Sequence, residues 1–104
     1  VSKNKILCHP ASVDSIDSSN GQEDHVSMGS ISAVKLLSVV ENVERILSIE
    51  LMTSAQAIEF RKPLTTSSYL QKIIHDYRKV VDYVDEDVVL HDCMQKSLNY
   101  LLTN

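Results

Sequence analysis

The fold is decided by the stretch Ser30–Arg61, which reads SISAVKLLSVVENVERILSIELMTSAQAIEFR. It contains no glycine or proline, and its apolar residues recur at helical spacing along two rows. The first row comprises Leu36, Val40, Val43, Leu47, Leu51 and Ile58, and the second comprises Ala33, Leu37, Val40, Leu47, Met52 and Ala55. An uninterrupted helix over these 32 residues would be about 48 Å long, whereas the usual helix has only about 11–12 residues. Because its apolar positions occupy more than one stripe, such a helix needs partners on several sides, as inside a large helical bundle.

The composition favours a single all-α domain. The 104 residues include only two glycines and two prolines, and the net charge is −4. An acidic chain without a basic cluster argues against nucleic acid, and no apolar run approaches the ~18 residues of a membrane span. Cys8 and Cys93 are too few and too far apart for a disulfide framework or a zinc module. They predict a reducing, cytoplasmic environment.

The chain divides into a loop, a long helix and two shorter helices. Residues 1–29 are predicted to be mostly loop, because they contain a Ser-, Asp- and Asn-rich segment that ends in the turn signal Asn20-Gly21. The long helix covers 30–61 and is stopped by Pro63. Apolar stripes and a capping box of Ser68 and Gln71 predict helices over 68–84 and 86–102. The start at Val1 without a methionine is expected either from initiator removal or from a cut out of a longer protein.

The run Gln22-Glu23-Asp24-His25 is the candidate for chemistry. It places an amide, two carboxylates and an imidazole beside a helix N-terminus, where they could supply a general acid or base and a group that orients it. The same residues also fit a solvated, polar lead-in to a capped helix. The other histidines, His9, His75 and His91, stand singly, and no metal-ligand spacing, phosphate loop or nucleophile elbow is present.

Several segments together resemble a known family. They are HPASVDS at 9–15, QEDHVSMG at 22–29, VEN at 40–42, ILSIEL at 46–51 and QA at 56–57. These segments are similar to the C-terminal part of the aromatic amino acid ammonia-lyases, and most of all to the histidine-specific members. The resemblance extends over residues 2–61, whereas the part after Pro63 is similar only in its general pattern of a polar linker and helices.

The resemblance implies both a fold and an activity. It implies an all-helical homotetramer built around a bundle of long helices, with active sites assembled from more than one subunit. It implies non-oxidative elimination of ammonia from L-histidine to give urocanate, with a methylidene-imidazolone electrophile made from an Ala-Ser-Gly triad. Gln22 and Glu23 match the residues that project into that site, and the glutamate is expected near the substrate imidazole. Asp24, His25 and Ser27 are assigned to shaping and capping the loop.

The sequence departs from the family pattern in two places. Gly21 stands where the family usually has an asparagine, and Asn20 lies one place earlier. The chain contains no Ala-Ser-Gly triad, so the electrophile is expected in a missing N-terminal part and this chain alone is expected to be inactive. A phenylalanine or tyrosine lyase, an aminomutase, and a stand-alone assembly module remain as alternatives. The unpartnered apolar faces of the long helix predict that the isolated chain forms a dimer or higher oligomer.

Overall fold

The computed structural model of the chain describes residues 1–23 and 25–104, and this part of the chain is helical and contains no β-strand. Its α-helices are α1 (Ser2–Leu7), α2 (Gly29–Glu59), α3 (Ser68–Tyr77) and α4 (Leu90–Thr103). The predicted all-α class, with one very long helix followed by two shorter ones, is confirmed. None of the helices described is both long and apolar enough to cross a membrane. The chain divides into a first unit, Val1–Val43, and a second unit, Glu44–Asn104.

The first unit contains more regular structure than the predicted loop over 1–29. Besides α1, it has two 3₁₀ turns, Ala11–Asp14 and Ser19–Gly21. An isolated six-residue helix is unstable in water, because nucleation is costly and few backbone bonds follow it. Here α1 is tied to α2 by a hydrogen bond of 2.8 Å from Asn42 Nδ2 to Asn4 Oδ1. This tertiary bond is the physical reason that the sequence of α1 alone did not reveal a helix.

The long helix α2 begins one residue before the predicted start and ends two residues before the predicted end. After Glu59 the backbone tightens: Arg61 N donates to Ile58 O at 3.0 Å and Lys62 N to Glu59 O at 3.3 Å. Pro63 explains the early end, because its ring disfavours helical geometry in the preceding residue and it has no N–H to donate. The peptide bond between Lys62 and Pro63 is cis.

The second unit has a buried apolar core. Tyr77 and Val81 are fully buried, and Met52 and Ala55 from α2 pack with them. The Tyr77 ring meets the Tyr100 ring edge to face, with 5.2 Å between centroids. This cluster joins α2, α3 and α4 of the second unit, and burial of its apolar surface stabilises that unit.

A buried hydrogen-bond chain runs through the same core. Tyr77 donates from its hydroxyl to Ser97 Oγ at 2.9 Å, and Ser97 Oγ donates to the carbonyl oxygen of Ser48 at 2.7 Å. All three residues are almost completely buried, so each of these polar groups needs its partner. Burial is the main reason that the pKa of Tyr77 is raised above its ordinary value of 10.0, although the Ser97 hydrogen bond opposes this effect.

The predicted bounds of the last two helices, 68–84 and 86–102, were too generous. α3 ends at Tyr77, and α4 begins only at Leu90. Backbone turns continue as far as Val81, whose N–H donates to Tyr77 O at 3.0 Å. Beyond them a tertiary contact holds the segment: the Gln56 amide accepts from Val84 N at 3.2 Å and donates to Val84 O at 2.6 Å. A side chain from α2 therefore replaces the backbone partners that a longer α3 would have supplied. The predicted start at 86 is too early, because Asp85, Glu86 and Asp87 are not helical.

The predicted capping box of α3 is shifted by one residue. The N-cap is Ser67, whose hydroxyl accepts a hydrogen bond of 3.4 Å from Leu70 N. Gln71 does not reach back to a cap N–H, because its side-chain amide donates to the carbonyl oxygen of Thr66 at 2.8 Å. The helix start is thus capped as the composition predicts, with a different serine in the capping position.

Candidate functional site

The candidate site lies in a loop of the first unit that is closed by two pairs of hydrogen bonds. In the inner pair, Ser18 N donates to Glu23 O at 3.1 Å and Glu23 N donates to Ser18 O at 3.2 Å. In the outer pair, Val26 N donates to Ser15 Oγ at 2.9 Å and the same hydroxyl donates to Val26 O at 3.2 Å. These bonds bring the two arms of the loop side by side and fix the position of the Glu23 backbone.

The turn between the two arms is left-handed. Ser19, Asn20 and Gly21 have φ angles of 52°, 58° and 77°. Glycine and asparagine adopt this region more readily than other residues do, which explains the Asn20-Gly21 pair. A Cβ atom at Gly21 would meet nothing within 4 Å. The position therefore requires a residue that tolerates positive φ, and asparagine meets the same requirement.

The two predicted site residues lie together on the returning arm of this loop. Gln22 and Glu23 are both exposed to solvent. The Ser18 hydroxyl donates to Glu23 Oε2 at 3.2 Å. Among the described residues, no cationic side chain forms an ion pair with the Glu23 carboxylate. The carboxylate is thus oriented by a neutral donor and can accept further hydrogen bonds from a ligand.

The residues assigned to shaping the loop are only partly described. Asp24 lies outside the described residues. His25 is exposed, and the Ser27 hydroxyl accepts a weak hydrogen bond of 3.4 Å from Gly29 N at the start of α2. The hydrogen bond from Gly29 N supports the capping role predicted for Ser27, whereas the roles of Asp24 and His25 stay predictions.

His9 has partners that the sequence did not predict. Its Nε2 lies 3.6 Å from Asp14 Oδ2, and its carbonyl oxygen accepts a hydrogen bond from Lys35 Nζ. Within the described residues, no group of three or more histidine, cysteine or acidic side chains is placed to hold a metal ion. His9 thus belongs to a local contact between the start of the loop and α2.

Sequence reasoning also missed a polar cluster in the second unit, centred on Arg78. Its Nη1 donates to the carbonyl oxygens of Val81 and Asp82, each at 3.2 Å, and its Nε lies 3.4 Å from Glu59 Oε1. The guanidinium also lies 5.9 Å from the centroid of the Tyr83 ring. Only the Glu59 contact joins residues far apart in sequence, and Val81, Asp82 and Tyr83 follow Arg78 in a segment that the sequence predicted to be helical and that is not.

Glu59 is the ionised partner in this cluster. The Lys62 ammonium, which hydrogen-bonds the carboxylate, and the Arg78 guanidinium hold the pKa of Glu59 below its ordinary value of 4.5, against the opposing effect of burial. A cavity of about 340 Å³ adjoins the cluster, and its lining includes Ile58, Thr66, Gln71, Ile74 and His75. The spacing of Glu59 and Lys62 is the one part of this arrangement that is visible in the sequence.

Comparisons with known proteins place this helical chain and its loop among the lyases. The family model for the aromatic amino acid lyases matches residues 1–79. The chain therefore belongs to the aromatic amino acid lyase family.

Several of the proteins that the chain is similar to are histidine ammonia-lyases. The enzyme of Sorangium cellulosum is 56% identical over 88% of this chain, and that of Caenorhabditis elegans is 54% identical over 84%. The crystal structure of histidine ammonia-lyase from Trypanosoma cruzi superposes with a TM-score of 0.91 over 98% of this chain, at 45% identity. The chain spans only 18%, 13% and 20% of the length of these three proteins.

Proposed function

We propose that this chain is the C-terminal part of a histidine ammonia-lyase-like enzyme. The enzyme would remove the amino group of L-histidine as ammonia, together with a proton from the β-carbon, and form the Cα=Cβ double bond of urocanate. The observation that carries the proposal is the 56% identity to a histidine ammonia-lyase over 88% of the chain. The hydrogen-bonded loop that presents Gln22 and Glu23 to solvent supports it, because a site residue must be both accessible and held in place.

Glu23 is the residue that recognises the imidazole of the substrate in this proposal. A carboxylate accepts a charge-assisted hydrogen bond from an imidazole N–H, and such bonds are about twice as strong as neutral ones. Gln22, next to it on the same arm, offers an amide that can donate or accept. The phenylalanine- and tyrosine-specific enzymes of the family typically carry Asn-Gln-Asp in this motif, so the glutamate that follows Gln22 favours histidine as the substrate.

The methylidene-imidazolone electrophile cannot be formed by this chain, because it contains no Ala-Ser-Gly sequence. In the proposed enzyme the group would come from the part of the protein that this chain does not include, and it would activate the substrate amine as a leaving group. The contribution of this chain is binding and orientation: Glu23 would fix the imidazole, and Gln22 would support it. We therefore propose that the isolated chain has no lyase activity.

The test is Glu23→Ala and Glu23→Gln in the full-length enzyme, assayed by urocanate formation. Loss of a hydrogen bond to a charged group is expected to lower kcat/KM for histidine by about 10- to 100-fold. Glu41→Gln is the matched control, because it removes an exposed carboxylate from α2 outside the loop. Unchanged histidine turnover in both Glu23 variants would overturn the recognition role.

Substrate identity is tested in the same preparation. The proposed enzyme is expected to turn over L-histidine and to leave L-phenylalanine and L-tyrosine largely unchanged. Turnover of L-phenylalanine or L-tyrosine would favour the alternative phenylalanine or tyrosine lyase. Formation of a β-amino acid instead of an alkene would favour the aminomutase.

We also propose that the chain self-associates, as part of a homotetramer in the complete enzyme. The supporting observation is the apolar surface of α2 in the first unit, where Ile31, Val34, Leu36, Leu37 and Val40 are 44–67% exposed. Apolar patches of this kind usually mark interfaces. Sedimentation of the isolated chain is expected to give a dimer or larger species, which Val34→Asp with Leu37→Asp should dissociate and Ser30→Asp should not. A compact monomer at high concentration would contradict the proposal.

This apolar surface also supports a second candidate, a stand-alone assembly module without catalysis. Sequencing the reading frame upstream of Val1 separates the two candidates. A frame that continues through an Ala-Ser-Gly triad would support the lyase, and an in-frame stop directly before Val1 would support the module.

A cytoplasmic location is a further part of the proposal. It is supported by two cysteines that are both free in the structure, Cys8 at the surface and Cys93 half-buried, as expected in a reducing compartment. Fractionation of cells that produce the protein would test it, and recovery in an oxidising compartment would contradict it.

A further inference from the structure

We propose that Ser18 is a positioning residue for Glu23, so that the loop supplies a carboxylate already oriented for the substrate. The inference rests on the proposed function and adds a residue to it. Ser18 is half-buried, and it contacts Glu23 through both its backbone and its side chain. No other serine in the described part of this loop has a side chain that hydrogen-bonds the Glu23 carboxylate.

The backbone contact fixes where the Glu23 side chain starts. The reciprocal bonds between Ser18 and Glu23, at 3.1 and 3.2 Å, hold their backbones in a closed pair. The outer pair formed by Ser15 and Val26 closes the loop a second time. With the left-handed turn between the arms, these bonds leave the Glu23 Cα little freedom to move.

The side-chain contact then fixes where the carboxylate lies. The Ser18 hydroxyl donates to Oε2 at 3.2 Å, so that oxygen is engaged while Oε1 can accept from an imidazole N–H. A glutamate side chain otherwise loses considerable rotamer freedom when it binds a ligand. Because Ser18 restricts that freedom beforehand, its hydroxyl is expected to favour substrate binding without taking part in the reaction itself.

The experiment measures KM and kcat for histidine in the full-length enzyme. Ser18→Ala is expected to raise KM by about 3- to 10-fold, the equivalent of one hydrogen bond, with little change in kcat. Ser18→Thr keeps the hydroxyl and should restore most of the affinity. Ser12→Ala removes an exposed serine outside the loop and serves as the neutral control.

A double-mutant cycle distinguishes positioning from a general effect on the loop. If Ser18 acts through the carboxylate, Ser18→Ala should have no further effect on KM in a Glu23→Ala background. Ser15→Ala is the comparison, because it opens the outer pair and should impair both backgrounds. Two results would overturn the role of Ser18 and leave the proposed site intact. One is that Ser18→Ala raises KM equally with Glu23 and with Ala at position 23. The other is that Ser18→Ala leaves KM unchanged although Glu23→Ala impairs the enzyme. A Glu23→Ala enzyme with normal turnover would instead overturn the proposed site.

Discussion

The first and second units are stabilised by different interactions, although α2 contributes residues to both. Among the described residues of the first unit, Ala11 is the only buried side chain, and the loop there is held by hydrogen bonds near the surface. The second unit has the buried cluster of Met52, Ala55, Tyr77 and Val81. The difference indicates that the second unit carries its own core, whereas most large apolar side chains of the first unit are exposed.

The largest expected effect comes from breaking the core of the second unit. Tyr77→Ala removes a fully buried ring and is expected to lower the free energy of unfolding by about 3–5 kcal/mol. Tyr77→Phe keeps the ring and loses only the bond to Ser97, so about 1–2 kcal/mol is expected. Hydrogen exchange followed residue by residue should show lost protection within 44–104. An equal loss of exchange protection at the amides of Ser18 and Glu23 would mean that the first unit also depends on the core around Tyr77.

A smaller effect is expected from releasing the segment between α3 and α4. Gln56→Ala removes both hydrogen bonds to the Val84 backbone, which leaves a partly buried N–H and C=O without these partners. The expected loss of stability is about 1–3 kcal/mol, measured by denaturant unfolding. Thr53→Ala is the matched control on the same helix, because its hydroxyl bonds only to carbonyls within α2. Similar losses in the two variants would rule out a special role for Gln56.

In the first unit, a substitution at Gly21 is expected to destabilise only the loop that carries Gln22 and Glu23. Gly21→Ala places a Cβ at a φ of 77°, which is expected to cost about 1–2 kcal/mol for the loop conformation. Gly21→Asn should cost less, because asparagine tolerates this region and the new Cβ meets no atom within 4 Å. Exchange at the amides of Ser18 and Glu23 is expected to accelerate in the alanine variant only. Loss of protection in the core of the second unit would contradict a local effect.

The sequence predicted best what depends on local pattern. The apolar rows of 30–61 predicted the long helix, and Asn20-Gly21 predicted the turn. It predicted poorly what depends on distant partners: Gln56 bonds to the Val84 backbone beyond the end of α3, and the bond between Asn42 and Asn4 stabilises α1. Nothing in the local sequence indicates that these side chains meet. Helix ends and loop contacts are decided by such tertiary bonds, whereas helix existence is decided by periodicity.

At the candidate site, the sequence predicted residues but not their geometry. Gln22 and Glu23 were selected for their chemistry and for a family resemblance, and their catalytic roles stay predictions. The partnership of Ser18 with Glu23 could not be predicted, because it requires both the left-handed turn and the pairing of two loop arms. The contact of Arg78 with Glu59 was missed for the same reason, since Glu59 is the last residue of α2 and Arg78 directly follows α3.

The smallest expected effect is an acid sensitivity confined to the second unit. Because the pKa of Glu59 is lowered by Lys62 and Arg78, its ionised form stabilises the fold above pH 4.5, and this contribution is lost as pH falls through the lowered folded pKa. Exposure of Lys62 to solvent limits the effect to about 0.5–1 kcal/mol. Unfolding measured between pH 3 and 7 should show Glu59→Gln less stable than the parent at pH 7 and nearly equal to it at the acid end. A difference that is constant across this range would mean that Glu59 stabilises the second unit through packing and not through its charge.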